Sequence, residues 1–368
     1  MLVLHDPDTL LHETIELLGS KVIPALESAD RIRAIVKALA NSQHHTDLIS
    51  APAKDSTALK DLLDTIKSTH NAAYLEHLEN VFAQWREADL INEDENVLPE
   101  CFAFASKAHP DEAKLKPPKD IYARPGFFAF DMSSGMMKDS YQAILASANL
   151  AAQAVQRLVS HEAGTVLALC RPPGHHCDGR RAGGYCYVNN CAVAVSAWRR
   201  LHGSKGSRVA ILDVDFHHGN GTQDIFYSDP DVFYTSIHGE DEFPYYTGAA
   251  DEKGGGEGEG MNLNLPLAKG SSFPEYQAQL SKSVRAIATF SPELLCISLG
   301  FDTFRLDPLG HFDIDTEDYE TMARAIRSAL LEASVATVIL LEGGYNIEHL
   351  GANLLSFLKG WEDGGQSP

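Results

Sequence analysis

From Thr165 onward the chain alternates short β-branched runs with amphipathic segments, and few folds accommodate that alternation. The predicted strands are Thr165–Leu169, Arg208–Val214, Val232–Ile237, Leu294–Leu299 and Thr337–Leu341. Around them, Ile144–Val159, Val188–Leu201, Phe273–Phe290 and Thr316–Ala333 place apolar residues at helical spacing. Strands alternating with helices predict an α/β fold, with a central parallel sheet covered on both faces. The N-terminal part is more helical, with "ESADRIRAIVKALA", where Ser28 precedes an amphipathic run as a cap, and "THNAAYLEHLENVFAQW". Residues 89–130 have no sustained period and contain Pro99, Pro110, Pro117, Pro118 and Pro125. An irregular stretch of that length is expected to serve function or to be disordered.

In open α/β sheets, ligands bind beyond the carboxyl ends of the strands. Every predicted strand here runs into chemically active residues. The first is followed by "CRPPGHH", with His175 and His176, and the second by Asp215, His217 and His218. The third is followed by His238, the fourth by Asp302 and the fifth by Tyr345. In Asp215-Phe216-His217 the alternate residues of an extended chain share a face, so a carboxylate and an imidazole can grip one cation. Asp302 can supply a third ligand, and three N/O ligands with an open position is the pattern of a catalytic zinc site. The competing reading is a buried hydrogen-bonded network with no metal. Adjacent histidines on a loop stiffened by Pro172 and Pro173 can divide the work of base and acid, given different partners. Asp213 suits one of these rings and would raise its pKa; Asn220 suits the other and would leave it nearer its free value, a split that suits water activation by His176. Tyr345 can donate to a developing oxyanion, or simply pack in a turn. Tyr185, after Gly183 and Gly184, is either the wall of a substrate channel or core.

Bulk properties narrow the function classes. A formal net charge of −21 repels nucleic-acid phosphates and attracts cations. No apolar run approaches the length of a membrane span, and the first residues do not read as a secretion signal. Six cysteines without a C-x-x-C pair fit a reduced, cytoplasmic setting and argue against thiolate-bound zinc.

The stretches "CRPPGHH", "GGYCYVNNCAVAV", "ILDVDFHHGNGTQDIFY", "SIHG", "SLGFDTFRLDP" and "LEGGYN" resemble the zinc-dependent histone deacetylase superfamily and, within it, the bacterial acetylpolyamine amidohydrolases. The resemblance extends through "HNAAYLEHLENVFAQW" and "ANLLSFLKGW", hence nearly the whole chain. It implies a single arginase/deacetylase-type domain over residues 1–368, with about eight parallel strands and an insertion at 89–130. It implies one Zn²⁺ held by Asp215, His217 and Asp302. His176 becomes the base, and His175, backed by Asp213, the electrostatic partner or general acid. Tyr345 becomes the oxyanion donor, with Asn220 supporting the catalytic set. It further implies a structural K⁺ at Asp213, Asp215, the His217 backbone and Ser236. Substrate is expected against Tyr185, Gly184, Phe243 and His238, with Glu16 near the entrance for a distant ammonium.

The arginase relatives bind two manganese ions through further aspartates. This chain has Gly219 and Gly300 at those places, which favours one metal. Tyr122 and Ser133 stand where the polyamine enzymes carry acidic residues, which points to short acetylated diamines. The expected activity is hydrolysis of N-acetylated polyamines or diamines by a cytoplasmic homodimer joined through the insertion, with no nucleic-acid or membrane partner. The alternatives are a broader lysine deacetylase acting on proteins and a non-catalytic amine-binding protein.

Overall fold

The computed structural model describes residues 1–18, 20–44, 46–50, 52–53, 56–104, 115–202, 206–329 and 335–365. Its strands are β1 (Leu2–His5), β2 (Ile15–Leu18), β3 (Lys21–Pro24), β4 (Thr46–Leu48), β5 (Thr165–Ala168), β6 (Val209–Asp213), β7 (Val232–Gly239), β8 (Asn262–Leu267), β9 (Leu294–Leu299) and β10 (Ala336–Leu341). Its helices are α1 (Ala29–Ala40), α2 (Thr57–Lys67), α3 (Ala72–Glu87), α4 (Arg124–Phe127), α5 (Ser140–Val159), α6 (Asn190–His202), α7 (Asn220–Phe226), α8 (Phe273–Phe290), α9 (Thr316–Ala329) and α10 (Ile347–Asp363).

Eight strands form one parallel sheet in the order β4-β1-β5-β10-β9-β6-β7-β8, and β2 and β3 pair as a separate antiparallel hairpin. The five strands expected from sequence are the five consecutive central ones, β5, β10, β9, β6 and β7. Their runs are apolar without alternation because both faces are covered. In β10, Val338 and Leu340 enter one core layer with α5 and α6, while Ile339 and Leu341 enter the other with α9 and α10. In β9, Leu294 and Cys296 divide from Leu295, Ile297 and Leu299 in the same way. The helix expected over Phe273–Phe290 is α8, whose first turn is fastened by Ser272 N donating to Glu275 Oε2 at 2.8 Å. Helix α1 begins after Ser28 as expected, yet the Ser28 side chain makes no capping bond.

The register fixes where the chemistry falls. Asp213 at the end of β6 is level with Ser298 in β9 and with Ser236 in β7. Leu299 is level with Leu341, so the segments after β9 and β10 leave the sheet side by side. Of the irregular 89–130 stretch, residues 105–114 lie outside the described residues, and so does the end of the helix expected to reach Ala333. Phe127 and Phe128, near the end of that stretch, pack against each other and the wall of one core layer.

Candidate active site

The residues singled out after β5, β6, β9 and β10 converge at the carboxyl edge of the sheet. Asp215, His217 and Asp302 each offer one donor atom, and these atoms lie within 4.8 Å of one another. Asp213, Asp215 and Asp302 are fully buried. Carboxylates so placed require a cation close by. His217 serves that need within the chain, with Nδ1 at 2.9 Å from Asp302 Oδ2 and 3.2 Å from Asp215 Oδ1. Burial opposes a charge on the ring, but Asp215 and Asp302 prevail and push its pKa up to about 10. For Asp215, burial works against ionisation while His175 and His217 hold the carboxyl below the usual range. One imidazole and two carboxylates, dry and mutually close, make a donor set that fits a divalent zinc-like ion with a position left open.

Backbone amides hold these donors in place. Phe216 N donates to Asp302 Oδ1 at 2.8 Å, His217 N to Asp215 Oδ1 at 2.9 Å, and Gly343 N to Asp215 Oδ2 at 2.8 Å. A Cβ at Gly300 would lie 2.1 Å from Asp215 Oδ2, and one at Gly219 would lie 2.2 Å from Asp213 Oδ2. Neither position can carry a carboxylate for a second metal without displacing Asp215 or Asp213.

The paired histidines differ as their partners do. His175 Nδ1 donates to Asp213 Oδ2 at 3.1 Å, and its Nε2 is 3.7 Å from Asp215 Oδ1. Burial opposes the charged ring, but Asp215 and Asp213 raise its pKa to about 10. His176 Nδ1 faces Asn220 Oδ1 at 2.8 Å, while Asn220 Nδ2 donates to the His176 carbonyl at 3.3 Å. The amide oxygen therefore takes the Nδ1 proton and leaves Nε2 with a free lone pair. The His176 pKa does not stay near its free value. Burial lowers it well below, and the neighbouring His175 and His217 lower it further. The rings of His175 and His176 are 4.0 Å apart, so one charged ring keeps the other neutral.

Tyr345 follows β10 and is nearly buried. Its backbone N donates to Asp307 Oδ2 at 2.6 Å, and the Arg31 guanidinium sits 5.0 Å from its ring centre. Burial, against the pull of Arg31, holds the phenol well above its ordinary pKa, so it remains a donor. Tyr185 is buried with its ring 5.8 Å from Tyr345. The Phe243 ring stands edge-on to His176 at 5.0 Å, and Gly184 lies so close that a Cβ would come within 2.3 Å of His176 Cδ2. Tyr185, Gly184 and Phe243 thus surround the His176 side of the cluster.

Two expected partners, His238 and Glu16, are engaged within the fold. His238 is buried with both ring nitrogens occupied, Nδ1 by Ser236 Oγ at 2.8 Å and Nε2 by the Gly248 carbonyl at 2.9 Å, which leaves neither for a substrate. Glu16 Oε1 accepts from the Tyr185 hydroxyl and from Leu26 N, so this oxygen ties the β2–β3 hairpin to the wall. Ser133 Oγ donates to Asp131, a half-buried carboxylate that also accepts from Gly184 N at 2.8 Å; an acid thus stands two residues before the position expected to lack one.

Sequence reasoning missed the supports beneath the site. Glu342 Oε2 accepts from Gly174 N at 2.7 Å and from His175 N at 3.2 Å, and Oε1 from Ser298 Oγ at 3.0 Å. Burial first, then Asp213 and Asp215, push its pKa up to about 7. Arg31 donates to the carbonyls of Gly344, at 2.6 Å, and Glu342, and Arg31 and Arg171 both bind Glu27 at 2.9 Å. The one available signal was a charge closing an apolar run in "VILLE". Phe130 was missed as well; it lies against Gly183, and its ring is 6.2 Å from Phe243.

A family model described as "Histone deacetylase domain" matches residues 25–361. Acetylpolyamine amidohydrolase 2 of Pseudomonas aeruginosa is 37% identical over 98% of this chain and 99% of its own length. Acetylpolyamine amidohydrolase of Mycoplana ramosa is 35% identical over 94% of each chain. The crystal structure of acetylpolyamine aminohydrolase from Burkholderia pseudomallei superimposes with a TM-score of 0.85 at 32% identity, covering 98% of both chains.

Proposed function

Because the chain belongs to the histone deacetylase family, hydrolases of amide bonds, we propose that it removes acetyl groups from N-acetylated polyamines or short acetylated diamines. The observation that carries this reading is the split histidine pair. His175 on the Asp213 carboxylate and His176 on the Asn220 amide oxygen stand beside a metal-competent donor trio. The names of the relatives support the acetylated amine as substrate.

In this reading Asp215, His217 and Asp302 hold one Zn²⁺. That ion, when bound, supplies Lewis-acid polarisation of the acyl carbonyl and acidifies water. His176 takes the proton of the attacking water at Nε2, because its Nδ1 proton is committed to Asn220. His175, hydrogen-bonded to Asp213, stabilises negative charge and, when protonated, can deliver a proton to the leaving amine. Tyr345 donates its hydroxyl to the carbonyl oxygen as charge develops there. Gly184, Tyr185 and Phe243 form the slot that orients the acyl group and excludes bulk water. A K⁺ held by Asp213, Asp215, the His217 backbone and Ser236 belongs to the same proposal, as does a cytoplasmic homodimer joined through residues 89–130. No described helix is long and apolar enough to cross a membrane.

The test is acetate release from zinc-loaded protein. N-acetylputrescine, N-acetylcadaverine and an acetylspermidine are offered in competition with an acetyl-lysine peptide, with chelated protein as control. Preference for the small amines is expected. Equal or faster use of the peptide defeats the polyamine reading in favour of a protein deacetylase. No release from any substrate defeats the catalytic reading altogether.

A further inference from the structure

The loop between β7 and β8 exposes aromatic surface that the donor cluster does not use. Tyr246 is 93% exposed and Tyr245 is 63% exposed. They end a file of rings that starts at His176. Centroid distances are 5.0 Å from His176 to Phe243, 6.0 Å from Phe243 to Tyr245 and 6.4 Å from Tyr245 to Tyr246. Exposure rises along the file, so the rings lead from the buried histidine to solvent.

A cleft of about 320 Å³ runs beside the two tyrosines. Glu240, Asp241, Glu242 and Glu252 line it, and no Lys or Arg does. Two of these acids have duties in the fold. Glu242 Oε1 meets His311 Nδ1 at 2.9 Å, and Glu252 Oε2 accepts from Gln223 Nε2, Gly248 N and Asn264 Nδ2. Glu240 and Asp241 are exposed at the surface. The loop is also anchored where it returns to the scaffold: Thr247 Oγ1 meets His218 Nδ1 at 2.8 Å and the Gly248 carbonyl meets His238 Nε2 at 2.9 Å. The tyrosines therefore stand on a fixed base, which lowers the ordering cost of binding.

We propose that Tyr245 and Tyr246 form an outer subsite that takes the distal ammonium of the acylated amine by cation–π contact, with Glu240 and Asp241 supplying the surrounding negative field. This rests on the reading that an acylated amine is the substrate. The geometry matches that ligand in both its parts. An alkyl stem finds apolar ring edges at Phe243, and a terminal ammonium finds π faces within an acidic cleft. A neutral tail gains only the first contact, and an anionic tail is repelled.

The experiment compares N-acetylcadaverine with its uncharged analogue, N-pentylacetamide, on the zinc-loaded full chain. Removing each ring, by Tyr245→Ala or Tyr246→Ala, is expected to lower the charged-over-neutral ratio of kcat/KM about two- to fivefold, through KM. Tyr245→Phe and Tyr246→Phe should keep the ratio, because the π face remains. Calorimetric titration of the doubly alanine-substituted protein with cadaverine itself reads the subsite without turnover, and weaker binding than wild type is expected. Equal losses on both substrates, an unchanged ratio, unchanged cadaverine binding, or an altered oligomeric state in the double variant would each overturn the proposal. Wild-type protein that hydrolyses neither amide but binds cadaverine through the tyrosines leaves the subsite standing and removes the proposed reaction.

Discussion

Tyr345 is placed by contacts far from it in sequence: Asp307 takes its backbone N–H, and Arg31 holds the Gly344 carbonyl before it. Its hydroxyl can therefore be removed without loosening the turn. Tyr345→Phe is expected to cut kcat by about 10²–10³-fold, with zinc content unchanged by metal analysis. Near-normal turnover would reassign the residue to packing. Gly300 makes an opposite case, since its missing side chain is what leaves room for Asp215 Oδ2. Gly300→Asp is expected to bind less than one zinc per chain and to unfold at a lower temperature, not to gain a second metal. The pairings of His175 with Asp213 and of His176 with Asn220 were legible although 38 and 44 residues separate the partners, because the segments after β5 and β6 leave the sheet at the same edge. Glu342, Arg31, Arg171 and Glu27 were not, because whether a charge is buried depends on partners as much as 313 residues away, as Arg31 and the Gly344 carbonyl are in this chain. The lowered pKa of His176 was missed for the same reason: a ring's neighbours in space set its field, and one of them, His217, arrives from another strand.

Helix α3 carries a titration that bears on stability. His77 is buried, stacked on Phe128 at 4.8 Å, and burial, with Arg124 adding to it, lowers its pKa to about 3. The unfolded chain takes up a proton near pH 6.5 that the native helix refuses until about pH 3. Stability from this residue is thus complete above pH 6.5 and is lost as the pH falls through that window. The slope is about 1.4 kcal/mol per pH unit. Because the unfolded histidine is already half protonated at pH 6.5, His77→Leu should make the unfolding free energy about 1 kcal/mol less sensitive to acid between pH 6.5 and 5.5, read from urea titrations at each pH. Parallel slopes for variant and wild type would count against a neutral buried ring. The five central strands are continuous, buried apolar runs, while β4 has three residues at an edge and β8 spells "NLNLPL" with only part of it buried. Strand β1 is buried too and was missed, since "LVLH" is as short as β5 but stands outside the alternation that marks the later strands. The hairpin of β2 and β3 left no signal because Lys21, Val22 and Pro24 are exposed and carry no apolar period.

At the scale of the whole molecule, the sheet concentrates negative charge where its strands end, within a chain of net charge −21. A cation bound there joins segments following β6 and β9 and relieves repulsion that the fold otherwise holds in check. Native protein should therefore melt at a higher temperature with zinc than after chelation, and the midpoint should rise with free zinc as mass action requires. Scanning calorimetry at graded zinc buffers reads this directly, and a midpoint indifferent to zinc would remove the ion from the account. Glu252 and its partners have a similar reach, because they hold the loop bearing Phe243 to α7 and β8.

The order of strands across the sheet also sets a timetable for synthesis. Strand β9 lies between β10 and β6, although the chain makes it long after β6. A polypeptide that has left the ribosome only through Phe226 owns Asp215 and His217 but neither Asp302 nor Tyr345. The donor trio is incomplete until the last third of the chain inserts itself between earlier strands. Tight capture of the ion thereby certifies that the middle of the sheet has been assembled, and a truncated product is barred from acquiring a working centre.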